Sequence, residues 1–287
     1  MNPNFEHWET LAAFHATGGD RIYDLDALLG GRDSLTFVED HAIDVATDGR
    51  GVSGLDVIHI QSHIGFDSVS MARRGARVTA VDFSPTALSR AREIAASAGV
   101  SIETIESDAR DLPHSVDGRF DIAYATIGAL CWIDDLDRWM EGAARSLRVG
   151  GHLVIVEMHP LICVFSEREP LVADFPYGGG TATTWSGQGS YANPDADFVT
   201  TTEEYAHSIA DVTNAALDAG LRIDRLLEHD AMPFDPRGDF LELDADGLYR
   251  FRLGVGRDDQ AASAMALPIT YTLVATKSKA DRSPLSD

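Results

Sequence analysis

Between residues 54 and 157, short apolar runs alternate with stretches of helical periodicity. The apolar runs have the length of buried strands and cover residues 54–60, 77–81, 102–105, 120–125 and 152–157. The clearest helix between them begins at Ser84, a favourable N-cap followed by Pro85, and ends near Gly99. Strands that are joined by helices of this length predict right-handed βαβ units and a parallel sheet.

The pattern changes in the second half of the chain. Residues 160–202 are rich in glycine, threonine, proline and aromatic residues and lack helical periodicity, which is typical of a lid or of an antiparallel insertion. A helix is expected over residues 205–219, and strands over 221–228 and 269–276 with an irregular segment, residues 230–268, between them. Two strands that are joined without a clear helix predict an antiparallel pair at the sheet edge.

Composition excludes several classes of partner. The 46 acidic and 23 basic side chains give a net charge of -23, which repels nucleic-acid phosphates and anionic membrane surfaces. No apolar stretch approaches the length of a membrane span and the first residues lack a signal peptide pattern, so a cytoplasmic protein is expected. The two cysteines, Cys131 and Cys163, lack the spacing of a zinc or redox site, and no metal is expected.

Polar residues follow the predicted strands directly. In an open parallel sheet, ligands bind at the carboxyl ends of the strands where the strand order reverses. The loop at residues 61–65 follows the first strand, and Asp82 follows the second, where a carboxylate can accept hydrogen bonds from both hydroxyls of a ribose. Asp108 follows the third strand, within reach of an adenine amino group. This order predicts a nucleoside-containing cofactor.

The arrangement over about residues 54–157 resembles the class I S-adenosylmethionine-dependent methyltransferases. In that family the loop after the first strand wraps the methionine part of the cofactor, and the acids after the second and third strands bind ribose and adenine. The resemblance therefore implies these roles for Asp82 and Asp108. Residues 147–151, Leu-Arg-Val-Gly-Gly, are similar to the Leu-Lys-Pro-Gly-Gly turn of the family.

The first loop departs from the usual acid-x-Gly-x-Gly-x-Gly pattern of the family. His59 stands in place of the acid, Gln61 and His63 replace the first two glycines, and only Gly65 remains. A branch of small-molecule methyltransferases with the pattern His-Leu-Gln-Cys-His-x-Gly-x-Asp is similar here, and the match extends to Asp67. That similarity implies a working site despite the missing glycines.

The resemblance implies an α/β fold with a Rossmann-like, doubly wound, seven-stranded sheet, mostly parallel with an antiparallel edge pair. The expected domains are an N-terminal helical cap (1–50), a core (51–159 and 203–278) and an inserted lid (160–202). Expected to bind S-adenosylmethionine are Tyr23, His59, Gln61, Ser62, His63, Gly65, Asp82, Phe83, Asp108, Ala109 and Ala125. Tyr23 is included because an aromatic face attracts a sulfonium cation.

The predicted activity is methyl transfer to a small-molecule acceptor by in-line displacement, in a monomer or homodimer. A general base is needed only if the acceptor must lose a proton, and His159, just after the fifth strand, is the candidate. Two alternatives stay open at this point. A catalytically silent protein that binds S-adenosylmethionine or a nucleotide would explain the lost glycines, whereas an NAD-dependent oxidoreductase would require a GxGxxG loop, which residues 61–65 do not supply.

Overall fold

The computed structural model of the protein describes residues 3–15, 22–167, 171–190, 196–235, 241–253 and 265–279. The helices are α1 (Pro3–His15), α2 (Leu25–Leu29), α3 (Phe37–Thr47), α4 (Phe66–Arg73), α5 (Pro85–Ser97), α6 (Leu136–Ser146), α7 (Pro160–Cys163) and α8 (Ile209–Asp218). The strands are β1 (Asp56–Ile60), β2 (Arg77–Asp82), β3 (Glu103–Glu106), β4 (Phe120–Ala125), β5 (Leu147–Met158), β6 (Phe165–Glu167), β7 (Val172–Ala173), β8 (Thr181–Gln188), β9 (Val199–Ala206), β10 (Leu221–His229), β11 (Glu242–Leu243), β12 (Tyr249–Leu253), β13 (Met265–Leu267) and β14 (Thr270–Lys277).

The central sheet has seven strands in the order β10-β14-β5-β4-β1-β2-β3. Strands β1 to β5 pair in parallel, and β14 runs antiparallel to both of its neighbours, β5 and β10. The predicted doubly wound, mostly parallel sheet with an antiparallel edge pair is therefore confirmed. The strand order reverses at β1, which pairs with β2 on one side and β4 on the other, so a ligand site is expected at the carboxyl ends of these three strands.

Helices cover both faces of this sheet. On one face α3 packs its buried positions, including Val38, Ala42 and Ile43, against the central strands. On the other face α6 buries Trp139 and Met140 together with residues of α8. Burying a large apolar side chain is worth about 1.5–3 kcal/mol, so the two faces fix the strands and, with them, the loops at their carboxyl ends.

Two segments outside the central sheet differ from the sequence-based expectation, residues 205–219 and 230–268, whereas residues 160–202 contain the antiparallel pairing that was one of the two expectations for them. The predicted helix over 205–219 begins later, at Ile209, because β9 stays paired with β8 through Ala206 and Ser208 then forms a capping box with Asp211. The segment 160–202 contains the helix α7 and the antiparallel pairs β6–β7 and β8–β9. The irregular segment 230–268 contains a three-stranded sheet of β11, β12 and β13.

Some sequence-based predictions fall outside the described residues. They are residues 1–2 and 16–21 of the predicted N-terminal cap, 168–170 and 191–195 of the predicted lid, and 236–240 and 254–264 of the segment expected to be irregular. In the part of the chain that the structure describes, no helix is long and apolar enough to cross a membrane.

Candidate functional site

A cavity of about 170 Å³, here named cavity A, lies at the carboxyl ends of β1, β2 and β4. Most of the residues predicted to bind the cofactor line it. The lining combines the N-terminal helices with the loops that follow the three strands, and it includes Trp8, Tyr23, Glu39, His59, Gln61, Ser62, His63, Gly65, Asp67, Asp82, Phe83, Gly128, Ala129 and Trp132.

Asp82 is the last residue of β2 and is almost fully buried in the wall of cavity A. One carboxylate oxygen, Oδ2, accepts a hydrogen bond from the backbone N–H of His63 at 2.8 Å, and Oδ1 accepts one from the N–H of Ser84 at 2.9 Å. Burial raises the pKa of Asp82 to about 6, and these N–H groups oppose the rise because they favour the charged carboxylate. Asp82 therefore holds the first loop and still faces the cavity.

The first loop keeps a glycine-like backbone without the glycines. Gln61 and His63, which stand at the first two glycine positions, have φ values of 62° and 49°. The Gln61 side chain donates a hydrogen bond to the carbonyl oxygen of Ala129 and accepts one from the indole N–H of Trp139, both at 2.9 Å. Side-chain hydrogen bonds thus stabilise a conformation that is strained for residues other than glycine.

Two buried polar atoms beside cavity A have no partner among the described residues. His59 is hydrogen bonded through Nδ1 to Oγ of Ser68 at 2.9 Å, but its Nε2 has no partner, and neither has Oγ of Ser62. Burial lowers the pKa of His59 to about 3, so the ring is neutral at physiological pH. Buried polar atoms are normally satisfied, so both atoms point to a bound ligand as the missing partner.

Two acids at the other end of cavity A have roles that the sequence analysis did not assign. Burial and the nearby Glu39 raise the pKa of Asp67 to about 8, although Oγ of Ser34 donates a hydrogen bond to its carboxylate at 2.6 Å. Glu39 accepts hydrogen bonds from the hydroxyl of Tyr124 and from the N–H of Thr36. The pattern Thr36-x-x-Glu39 is a capping box, which explains an acid at this position without a ligand.

Aromatic and imidazole rings from the N-terminal segment cover cavity A. His15 of α1 is hydrogen bonded to His63 at 2.9 Å and stacks on Tyr23 with ring centroids 4.7 Å apart. Trp8 meets His63 edge-on at 5.1 Å. These rings close the N-terminal side of cavity A.

Three predicted cofactor residues do not belong to the lining of cavity A. Asp108 accepts hydrogen bonds from Nε and the backbone N–H of Arg110, both at 2.9 Å, and this arginine lowers the pKa of the carboxyl. Ala109 and Ala125 are buried in the core beneath the sheet edge. Contacts of these residues with a cofactor stay predictions.

His159, the predicted base, caps the short helix α7. Its Nδ1 accepts a hydrogen bond from the N–H of Leu161 at 3.0 Å, so Nε2 carries the proton and lies 2.9 Å from Oε1 of Glu228. Both ring nitrogens are therefore engaged, and His159 does not line cavity A. In this arrangement it has no free lone pair with which to accept a proton.

A second cavity of about 530 Å³, here named cavity B, lies on the other side of the loop after β4. Its lining is mostly apolar and aromatic and includes Leu130, Cys131, Glu157, Met158, Pro160, Phe175, Tyr177, Thr183, Trp185, Glu204, Tyr205, Ala206, His207 and Tyr271. Gly128 and Ala129 line cavity A, and the next two residues of the same loop line cavity B. This loop is the wall between the two cavities.

Glu157, near the end of β5, holds that wall in place. Its Oε1 accepts hydrogen bonds from the N–H groups of Gly128 and Met158 at 2.6 and 2.7 Å, and Oε2 accepts from those of Ala129 and Leu130 at 2.8 Å. Burial raises the pKa of Glu157 against the effect of these four donors. Since a carboxylate has about four lone-pair sites, its accepting capacity is filled, and its role is to position the loop.

Comparison with known proteins identifies a domain in the first half of the chain. Residues 57–151 match the family described as "Methyltransferase domain". An uncharacterised protein of Mycobacterium tuberculosis is 36% identical over 118 residues, which are 40% of this chain and 41% of that protein. A demethylmenaquinone methyltransferase of Thermobifida fusca is 34% identical over 147 residues, 50% of this chain and 58% of that protein. The chain thus spans about half the length of these relatives.

Solved structures share the fold at low sequence identity. A methyltransferase from Clostridium acetobutylicum described as S-adenosylmethionine-dependent has a TM-score of 0.52 at 14% identity, with 78% of this chain and 84% of that chain covered. A similarly described protein from Mesorhizobium loti has a TM-score of 0.50 at 18% identity, covering 83% and 99%. Residues 57–151 of this chain thus match a methyltransferase domain, and the chain shares the Rossmann-like fold of solved structures described as S-adenosylmethionine-dependent methyltransferases.

Proposed function

We propose that the protein transfers a methyl group from S-adenosylmethionine to a small-molecule acceptor, with the donor in cavity A and the acceptor in cavity B. The observation that carries the proposal is the buried carboxylate of Asp82, which faces cavity A at the end of β2. A carboxylate at this point accepts hydrogen bonds from both ribose hydroxyls of a nucleoside. The methyltransferase domain match over residues 57–151 gives the reaction class.

The chemistry of the residues in cavity A fits this donor. Two unpartnered atoms, Nε2 of His59 and Oγ of Ser62, are available to its polar groups. Glu39 suits the ammonium group of the methionine part, which would also favour the charged form of the neighbouring Asp67, and Trp8 supplies an aromatic face for the sulfonium. In the part of the chain that the structure describes, no cluster of three or more potential metal ligands occurs, and the donor fit requires none.

The bound donor supplies an electrophilic methyl group. The chain aligns the acceptor with this group and excludes water from the site. Displacement at the methyl carbon requires the acceptor, the carbon and the leaving sulfur to lie in line. Gln61 and Glu157 fix the two loops that flank the transfer position through the hydrogen bonds described above. Helix α1 and the rings of Trp8 and Tyr23 exclude water from it.

The acceptor is a small molecule rather than a macromolecule. Cavity B, at about 530 Å³, has the size of a small-ligand pocket, about 300–1,000 Å³. Two relatives are named for quinone-type substrates, one as a demethylmenaquinone methyltransferase and the other, from Oryza sativa, as a 2-methyl-6-phytyl-1,4-hydroquinone methyltransferase. Together with the net charge of -23, this supports an apolar cyclic acceptor and argues against a nucleic acid.

A silent binding protein is the competing function, because Gln61 and His63 replace the first two glycines of the usual loop. The shared fold does not fix the reaction either. A solved structure described as the [4+2]-cyclase SpnF covers 84% of this chain and 81% of its own with a TM-score of 0.50 at 16% identity. Calorimetry with S-adenosylmethionine, S-adenosylhomocysteine and NAD decides the donor, and we expect the first two to bind. Binding of the donor without methyl transfer across a panel of phenols, amines and thiols would favour the silent protein.

A further inference from the structure

We propose that cavity B binds a planar aromatic acceptor that carries a hydroxyl group, and that Nδ1 of His207 takes the hydroxyl proton. This inference rests on the proposed methyl transfer and names its substrate class and its base. His207 follows β9 directly and is one of the residues that line cavity B. From the sequence, His207 is expected inside the helix over residues 205–219, without a functional role.

Hydrogen bonding fixes which nitrogen of His207 is free. Nε2 lies 2.7 Å from the carbonyl oxygen of Ile133. A carbonyl oxygen only accepts, so Nε2 carries the ring proton and Nδ1 of the neutral ring keeps a lone pair. Among the described residues, Nδ1 has no hydrogen-bond partner. His207 thus combines an oriented ring with an open acceptor, the combination that His159 lacks.

The same bond places His207 beside the wall between the cavities. Ile133 comes just after the loop at residues 128–131, whose successive residues line first cavity A and then cavity B. A base that is anchored there lies on the acceptor side of the transfer position. Glu204, another candidate in cavity B, already accepts a hydrogen bond from the side chain of Trp185, whereas Nδ1 of His207 is open.

The remaining lining determines the shape of the acceptor. Phe175 and Trp185 pack against each other with ring centroids 4.8 Å apart, and Tyr177, Tyr205 and Tyr271 add further rings. Aromatic walls favour a flat, apolar ligand through stacked and edge-on contacts. A flat ligand with one hydroxyl group satisfies both the rings and the open Nδ1.

Every bond, proton and charge in the proposed methyl transfer is accounted for. The acceptor O–H bond breaks and its proton binds Nδ1 of His207, while the acceptor oxygen forms a new bond to the transferred methyl carbon. The electron pair of the broken carbon–sulfur bond stays on sulfur, which becomes a neutral thioether. The positive charge of the sulfonium thereby passes to the imidazolium, which releases its proton to water after the products leave.

The experiment uses the full chain, saturating S-adenosylhomocysteine and two fluorescent probes, 2-naphthol and 2-methoxynaphthalene, which lacks the O–H donor. Ala206→Phe and Thr183→Trp each fill cavity B from a different strand, and Thr201→Phe adds the same bulk at an exposed position of β9. His207→Gln keeps an N–H that can reach the carbonyl of Ile133 and removes the imidazole. Calorimetry with S-adenosylhomocysteine on every variant reports the donor site separately.

We expect both filling variants to weaken 2-naphthol binding at least tenfold and Thr201→Phe to change it less than twofold. Excited 2-naphthol is a strong acid, so the bound probe should emit as the anion in the parent protein and as the neutral form in His207→Gln. No binding of 2-naphthol, or binding that neither filling variant weakens, overturns the assignment of cavity B. Identical emission in the parent and His207→Gln overturns the assignment of the base. Failure of the parent to bind S-adenosylhomocysteine instead refutes the proposed function.

Discussion

The backbone N–H of His63 donates a hydrogen bond of 2.8 Å to Oδ2 of Asp82, which joins the loop after β1 to the end of β2. The carboxylate is therefore used twice, since it holds the first loop and faces the proposed ribose position. Its loss should release the loop and remove the ribose contacts together.

Asp82→Ala should weaken binding of S-adenosylhomocysteine by at least about a hundredfold, because two hydrogen bonds to a charged group are worth about 1.5–3 kcal/mol each. Glu106→Ala is the matched control, since Glu106 is the register partner of Asp82 on β3 and is exposed. Isothermal titration calorimetry measures both, and circular dichroism checks the fold. An affinity of Asp82→Ala close to that of the parent would remove Asp82 from the site.

Replacing Gln61 and His63 together by glycine should weaken binding of S-adenosylhomocysteine, even though glycine relieves about 1–2 kcal/mol of left-handed backbone strain per residue. The reason is the loss of the bonds from Gln61 to Ala129 and Trp139. Asp48→Gly provides the control, because Asp48 has a φ of 52° at the exposed end of α3, away from both cavities. Tighter binding by the double variant would show that the loop is a degraded form of the glycine-rich motif.

Asp67→Asn should reduce the pH dependence of stability. The pKa of Asp67 is raised to about 8 in the folded protein from an unfolded value of 3.8. The contribution of this group to the free energy of unfolding is therefore fully present below pH 3.8 and is lost as the pH rises towards 8. Between these two pH values the free energy of unfolding of the parent should fall by about 1.4 kcal/mol per pH unit through this group, whereas that of the asparagine variant should not.

Urea unfolding at pH 5, 6 and 7 measures this difference in slope. Asp44→Asn, which neutralises an exposed side chain on α3, serves as the control because its charge is not buried. Equal slopes for Asp67→Asn and the parent would mean that Asp67 is ionised without penalty in the folded state.

Helix α1 and strand β9 should gain protection together when S-adenosylhomocysteine and 2-naphthol bind. The Asn4 side chain donates a hydrogen bond to the carbonyl oxygen of Glu203 at 2.8 Å and accepts one from its N–H at 2.9 Å, so the two segments are linked. Hydrogen exchange should show protection in both and little change in the buried strands. If only residues 230–235 and 241–253 gain protection, those residues cover the bound ligands and α1 and β9 do not.

Asn4→Ala tests that link directly. We expect faster exchange in α1 and in β9 of the ligand-free protein, because a bidentate contact between them is lost. Glu6→Ala changes an exposed residue of the same helix and should leave β9 unaffected. Faster exchange in α1 alone would show that other contacts hold the antiparallel pair of β8 and β9 in place.

The positions of the sheet and of cavity A follow from local sequence patterns. Apolar runs of strand length identified β1 to β5, and residues such as Asp82 could be assigned because they follow a strand directly. Glu39 could not, since its place in a capping box already accounts for an acid on α3. Its approach to Asp67 depends on how α3 packs on the sheet, which no short segment encodes.

Glu157 and His207 illustrate contacts that sequence separation conceals. The Glu157 carboxylate binds N–H groups 27 to 29 residues earlier in the chain, through a register that only the assembled sheet defines. His207 lies in a segment whose composition favours a helix, but pairing between β8 and β9 keeps the chain extended to Ala206. In both cases tertiary pairing outweighed local preference.

The family match falls unevenly on the linings of the two cavities. Residues 57–151 carry the family match and supply the strand-end loops of cavity A, whereas the lining of cavity B comes from beyond residue 151 apart from Leu130 and Cys131. The proposed roles of the two cavities therefore predict that acceptor preference is separable from donor recognition. Grafting the segment of a relative that corresponds to residues 160–207 onto this core should transfer its choice of acceptor and leave the donor affinity unchanged, because the loop held by Glu157 lies outside the grafted segment.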